Sequence, residues 1–466
     1  MEQGAQDLEQ GLEQWLEREY RRAADAMLVS VSPVGIVKTR PGFGHTIHPV
    51  RGSIVASPVL ADWNPEPDYF FHWFRDSAVV IDAVRLLFEA GDLGPQAVEH
   101  FADFVRFSLA LQDLDGRKVI ATLAWRENVA ADFIRFLRKD AELETVHGEA
   151  IVAETRVNPD GTLDISSWTR PQHDGAPLRA LSVLRWARSH SFDSGLRELV
   201  SRLVRSDLAF TFAHWREPSF DIWEEESGLH YYTLCVSAAA LREGAAWLDS
   251  VGDTTLARSY RTEAGIIHRS LDGYWLPEEE HYRSRVLASG ARSTKELDIA
   301  VILAAIHALD DGPTHSVRDP HMHATLRRLE SLFDAAYAIN QNRSSHRAPA
   351  MGRYAGDVYF SGGAYYFSTL GAAEFCFLAA AHGDETSTWI ARGDAYLATV
   401  RAYTPENGEL SEQFDQRTGA QTSARHLAWS YAAFISCLAA RRAVVGTGAR
   451  GRALSRSRAL RSAQSR

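Results

Sequence analysis

SAVVIDAVRLLFEAGDLGPQAVEHFADFVRFSLAL, residues 77–111, is the stretch that decides the fold. In its first half Val79, Val80, Ala83, Val84, Leu87 and Phe88 recur every three or four residues, which places them in one wide apolar stripe on a helix. Ser77 stands where it can cap the start, and Gly91 follows the end. Val98, Phe101, Val105 and Leu109 repeat the period in the second half. Two amphipathic helices joined by a short link form a hairpin, and a hairpin with apolar faces needs neighbours to cover them.

The pattern recurs along the chain. Helical spacing predicts helices over 11–29, 77–90, 96–111, 177–190, 194–210, 230–249, 254–272, 296–309, 319–338, 364–382, 385–402 and 426–444, while alternating strand patterns are few and short. These segments pair through short links, and the pairs are separated by longer stretches rich in Gly, Pro and Trp. Six hairpins imply an all-α chain, an (α/α)6 barrel of alternating inner and outer helices, with an irregular helical array as the alternative. The expected organisation is a single barrel domain over 1–444 and a basic, disordered tail over 445–466, because GTGARGRALSRSRALRSAQSR has little to bury.

Bulk properties narrow the partners. The 466 residues carry a net charge of −10 with acids and bases interleaved, which argues against nucleic acid or anionic lipid and for a neutral or small ligand. Cys235, Cys376 and Cys437 are odd in number and sit in apolar helical patterns, so they read as small buried hydrophobes rather than a disulfide framework. MEQGAQDLEQGLEQWLEREY at the start is acidic and amphipathic, and no apolar run reaches a membrane-spanning length. A cytoplasmic monomer is the expectation, or a secreted protein if a leader has been removed.

Five stretches stand apart. PDYFFHWFRDS (67–77), SSWTRPQHDG (166–175), SFDIWEEESG (219–228), MGRYAGDVYFSGG (351–363) and ELSEQFDQRTGAQTSAR (409–425) combine acids and aromatics, with Arg in all but the third, and each precedes an even-numbered helix. If the even helices form the inner ring, these loops converge on one pocket. Carboxylates and guanidinium groups bond sugar hydroxyls, and indole or phenol rings cover sugar C–H faces. Glycoside hydrolysis needs a protonated carboxyl for the leaving oxygen and an ionised one to activate water. Glu224, beside Trp223, Glu225 and Glu226, is in a setting that should raise a carboxyl pKa, which suits the acid; alone, the triplet is a weak signal that reads more readily as a solvated helix start. Glu412, flanked by Ser411 and Gln413 whose polar groups could hold it ionised, suits the base.

These five stretches, in this order, resemble glycoside hydrolase family 15, the glucoamylases, from about Leu12 to about Arg442. The resemblance implies an (α/α)6 barrel, release of glucose from non-reducing ends of α-1,4 and more slowly α-1,6 glucans with inversion, and no cofactor. By the same resemblance Glu224 is the acid, Glu225 a contact to substrate hydroxyls and Glu412 the base. Arg75 and Asp76 are similar to the pair that fixes the terminal glucose, with Tyr69 and Trp73 beside them. Trp168 and Arg170 resemble the family's substrate-side Trp and its neighbour, Asp221 precedes the acid, and Arg353 resembles the binding Arg of the next subsite. Trp429 resembles an aromatic near the base, for which core packing is an equal reading. Gly363-Ala364-Tyr365 departs from the family's Asn-Pro-Trp, so an outer stacking platform, with Tyr365 in its place, is altered.

Other features carry less. His321 and His323 do not share a helix face, so no metal site is expected, and the lone glycines of GFGHT do not make a phosphate loop. Two further readings remain at this level: a relative acting on trehalose, isomaltose or dextran, and a non-catalytic glucan-binding barrel, against which the presence of both Glu224 and Glu412 speaks.

Overall fold

A computed structural model describes residues 2–62, 65–122, 124–382 and 385–463, with side chains over 10–62, 65–122, 126–382 and 385–446. The expected tail from 445 falls mostly outside that side-chain description. Twelve long helices are present among the described residues: α1 (Glu2–Leu28), α2 (Phe74–Glu89), α3 (Gln96–Ala110), α4 (Gly175–Ser189), α5 (Ser194–His214), α6 (Tyr231–Ser250), α7 (Thr254–Ser270), α8 (Ala300–Ala308), α9 (Pro320–Ala336), α10 (Tyr366–Ala380), α11 (Thr386–Tyr403) and α12 (Ala428–Ala463). Each answers to one predicted segment. The even-numbered helices pack in a closed ring, α2 on α4, α4 on α6, α6 on α8, α8 on α10, α10 on α12 and α12 back on α2, and the odd ones lie outside them. This is the (α/α)6 barrel.

Burial separates the two rings. In α10, AAEFCFLAA continues an almost wholly buried helix, and α8 is apolar on every side, as helices enclosed by neighbours are. Outer helices such as α7 bury one face only, through Ala257, Tyr260, Ala264 and Ile267. One hydrophobic cluster reaches from Leu12 on α1 to Val444 on α12. Cys235, Cys376 and Cys437 are free and buried within it.

Several boundaries differ from the sequence reading. Ser77 does not cap α2: the helix begins at Phe74, and the Ser77 hydroxyl donates to the Phe74 carbonyl from inside the first turn. The helix starts early because Phe74 N–H already bonds the Thr155 carbonyl, an anchor supplied by a distant loop. α8 starts at Ala300 rather than 296, since the Asp298 carboxylate accepts from Ala300 N–H at 2.8 Å. Ala364–Tyr365 leaves α10 to pair with Gln413–Phe414, which in turn pairs with Gln421–Thr422. Comparable short pairings join His72–Trp73 to Arg156–Val157, Ser219–Phe220 to Ser227–His230, and Ser227–His230 in turn to Arg285–Leu287. These ladders tie the loops preceding the inner helices to one another. No helix among the described residues is long and apolar enough to cross a membrane.

Candidate active site

At the end of the ring where the inner helices begin, the loops enclose a pocket of about 230 Å3. Of the predicted residues, Tyr69, Trp73, Arg75, Asp76, Trp168, Trp223, Glu224, Glu225, Arg353, Glu412 and Trp429 line it.

Glu224 sits in a turn built by Asp221. The Asp221 carboxylate accepts from the N–H groups of Trp223 (2.9 Å), Glu225 (3.1 Å) and Glu226 (3.2 Å), and from Arg285 Nη1 (2.6 Å). Glu224 itself has φ 65°, a left-handed conformation that costs a side-chain-bearing residue about 1–3 kcal/mol and is retained where the surroundings fix it. Its carboxylate accepts from Trp73 Nε1 at 2.8 Å, Arg75 Nη2 at 3.1 Å and Trp168 Nε1. The neighbouring acids turn elsewhere: Glu225 meets Lys295 Nζ (2.6 Å), the Tyr354 hydroxyl (2.5 Å) and Arg353 Nη2 (3.0 Å), and Glu226 meets Arg285 (2.9 Å). The mutual repulsion expected of the triplet is thus relieved by four cations, Arg75, Lys295, Arg353 and Arg285.

Glu412 faces the same pocket. The polar neighbours expected to hold it do not: Ser411 donates to the Gln413 carbonyl, and the Gln413 amide donates to the Tyr365 hydroxyl. Adjacent residues of an extended segment point to opposite faces, so the support comes from across the ladder instead. The Ser423 hydroxyl donates to one carboxylate oxygen and Tyr69 to the other at 3.4 Å. Burial pushes Glu412 up to about 7, against the lowering influence of Ser423 and Arg353. The rings of Tyr69 and Trp73, the donors to Glu412 and Glu224 respectively, are 5.2 Å apart, and Tyr69 also shares a 2.7 Å hydrogen bond with Tyr359.

The floor is aromatic and charged. Trp429 stacks on Phe367 with centroids 4.4 Å apart, and the Arg75 guanidinium lies 5.4 Å from the Trp429 ring. Arg75 is held by Asp174 at 3.3 Å and pairs with Asp76 at 3.3 Å. Burial raises Asp76 and Asp174 to about 6 each, and Asp76 Oδ2 has no hydrogen-bond donor.

Three predicted residues stand behind the wall rather than in it. Asp221 is enclosed beneath the Glu224 turn. Arg170 is bonded to Glu154 (2.7 Å) and Asp164 (3.1 Å); it borders an outer cleft of about 800 Å3 that also touches Trp168 and Glu224. Tyr365 is fully buried, donating to Asp357 at 3.1 Å, so it supplies no stacking platform. Tyr359 takes a place in the lining that the sequence did not single out. The loop before α8 was missed as a whole: Arg285 braces Asp221, Lys295 holds Glu225, and Asp298 accepts from Trp223 Nε1 at 2.8 Å. Its signal was present, since an Arg and acids precede an even-numbered helix there as in four of the other five loops. His321 stacks on Trp275 and His323 bonds the Val317 carbonyl, and the described residues contain no cluster of metal-ligand type.

A helical toroid with a pocket of carboxylates, guanidinium groups and indoles at one end has the make-up of a carbohydrate-cleaving enzyme, and comparison with known proteins agrees. The family model "Glycosyl hydrolases family 15" matches residues 152–392 and 387–439, and the chain belongs to that family. It is 28% identical over 482 residues to the Schizosaccharomyces pombe protein named "Probable glucoamylase", covering 94% of each chain. It is 28% identical over 441 residues to the Neurospora crassa "Glucoamylase", covering 84% of this chain and 64% of that one. Among solved structures, the Hypocrea jecorina family 15 glucoamylase superposes with a TM-score of 0.75 at 23% identity, over 93% of this chain and 73% of that chain.

Proposed function

We propose that this glycoside hydrolase removes single glucose units from the non-reducing ends of α-1,4 and α-1,6 glucans or maltooligosaccharides with inversion, Glu224 acting as general acid and Glu412 as general base. The observation that carries the reading is one small pocket lined by both carboxyls, each with its own donors, Tyr69 for Glu412 and Trp73 for Glu224. A capacity of about 230 Å3 suits one sugar ring, which favours exo action. The Asp76 carboxyl and the Arg75 guanidinium offer an acceptor and a donor to the hydroxyls of that ring, and Trp429 offers an apolar face. Glu225, Arg353 and Tyr359 lie where a second sugar would meet the pocket.

In this assignment the leaving oxygen takes its proton from Glu224, beneath Trp168, while Glu412 draws a proton from water on the opposite side of the ring. One observation favours a second reading with the roles exchanged: burial raises Glu412 to about 7, and three donors converge on Glu224. Incubation with maltose, maltotetraose, isomaltose, trehalose, dextran and glycogen, followed by proton NMR before mutarotation, tests the function. β-Glucose is expected first, with maltooligosaccharides preferred; α-glucose first would overturn inversion, and turnover of trehalose alone would overturn the glucan assignment.

A further inference from the structure

The lumen of the ring holds a second cavity, of about 240 Å3, bounded by α2, α4, α8, α10 and α12. Its lining lies within the inner helices themselves, from Val79, Leu178, Ile306 and Glu374 to Ala432 and Ala440, whereas the catalytic loops precede their N-termini, so it sits behind the catalytic pocket along the barrel axis. Asp82, Arg85, Arg185 and Glu374 stand in its wall. Ionisable groups inside an apolar ring are costly unless paired, and none of these four touches the catalytic residues.

The pairing is incomplete. Asp82 accepts from Arg85 Nε at 2.7 Å and from Arg185 Nη1 at 3.4 Å, and Arg185 Nη2 donates to the His307 carbonyl at 2.6 Å. Arg185, only 8% exposed, keeps its buried Nε without a hydrogen-bond partner among the described residues. The Glu374 carboxyl receives one hydrogen bond, from the Ser436 hydroxyl at 2.6 Å. Guanidinium groups, a carboxyl with an oxygen to spare and flanking leucines in one wall are what a neutral polyol with an apolar C–H face requires. The volume matches the catalytic pocket, about 240 against 230 Å3.

We propose that this rear cavity is a second binding site for a neutral monosaccharide, glucose being the one that the enzyme itself releases. The choice of glucose rests on the function proposed above; the site does not. Its occupancy has a route to the catalytic floor: the residue whose carbonyl holds Arg185, His307, has its ring 6.3 Å from that of Trp429. Glucose at the rear therefore acts on turnover as well as competing with substrate at the front.

Two variants remove the rear site without touching the catalytic pocket. Ala440→Phe fills the cavity from α12. Glu374→Leu replaces the carboxyl by an apolar group of similar size, which the ring should tolerate. Bound glucose per chain is counted by equilibrium dialysis of labelled glucose at high protein concentration, alongside product-inhibition kinetics. The expected result is two glucose molecules per wild-type chain and one in either variant, with glucose lowering kcat in the wild type but only raising KM in the variants. Equal binding by wild type and both variants would overturn the rear site. A single glucose in the wild type that both variants abolish would uphold the rear site and instead tell against the proposed glucosidase.

Discussion

Removing the Ser423 hydroxyl should move the acid limb of the pH profile upward. Ser423 donates to the buried Glu412 carboxylate and lowers its pKa against the larger effect of burial, which sets it at about 7. A hydrogen bond to a charged group contributes about 1.5–3 kcal/mol, and 1.36 kcal/mol corresponds to about one pH unit. Without the hydroxyl, Glu412 should titrate about one to two units higher. A general base works only when ionised, so kcat/KM rises with pH through this titration. The variant's limb therefore lies at higher pH, and at a fixed pH below it the rate falls about tenfold for each unit of displacement. Ser423→Gly is the better variant, since φ at this position is 65°, which glycine adopts freely, and Ser423→Ala checks it. The assay is kcat/KM on maltotetraose from acid to alkaline pH. An unmoved limb, with the rate lowered equally at every pH or not at all, would refute the assignment of that limb to Glu412.

Further outcomes can be checked independently. Glu224→Gln and Glu412→Gln should each lose about 10²–10⁴ in kcat on maltose; on α-glucosyl fluoride, whose leaving group needs no proton, only Glu412→Gln should stay impaired, and the opposite pattern would exchange the two roles. Lys295→Met loosens the grip on Glu225 at a partly exposed ion pair worth up to about 1 kcal/mol, so KM for maltose should rise about two- to fivefold with kcat unchanged, and Lys295→Arg should restore it. A fall in kcat alone would contradict that positioning role. Glu19 is fully buried with neither oxygen hydrogen-bonded, and burial raises it from 4.5 to about 7. Its raised pKa means that stability is present below 4.5 and is lost as pH rises through about 7. Glu19→Gln should therefore melt higher than wild type at alkaline pH, with the gap closing in acid; an equal Tm across the range would rule this out.

The helical period made the ring legible: twelve stripes predicted twelve helices, and link lengths paired them into hairpins. The convergence of five loops hung on the condition that the even helices lie inside, which the packing of the ring meets. What the sequence could not convey was which polar residue reaches which partner. Ser411 and Gln413 are adjacent to Glu412 in the chain yet point away from its carboxylate, and Ser423 reaches it only because the strand pairing brings Gln421–Thr422 beside Gln413–Phe414. Asp221 looked like a pocket acid but spends its oxygens on three backbone N–H groups and an arginine. Arg285 sits in the one site-facing loop that the sequence reading did not single out. Tyr365 replaced a residue expected at the rim, yet Asp357 and Gln413 hold it inside.

The ring closes where the first helix meets the last. Trp15 packs edge-on against Phe434 with centroids 5.6 Å apart, and Arg442 bonds Glu17 at 3.2 Å across a sequence separation of 425 residues. During synthesis α1 leaves the ribosome first and has no seat until α12 follows. The five intervening hairpins can stack in order of emergence, each on its predecessor, but the row stays an open arc with two unsatisfied edges. Circularity is thus the last property the nascent chain acquires. The catalytic pocket inherits that order, because Glu412 and Trp429 belong to the final arc and Tyr69 and Trp73 to the first, and they become neighbours only when the circle shuts.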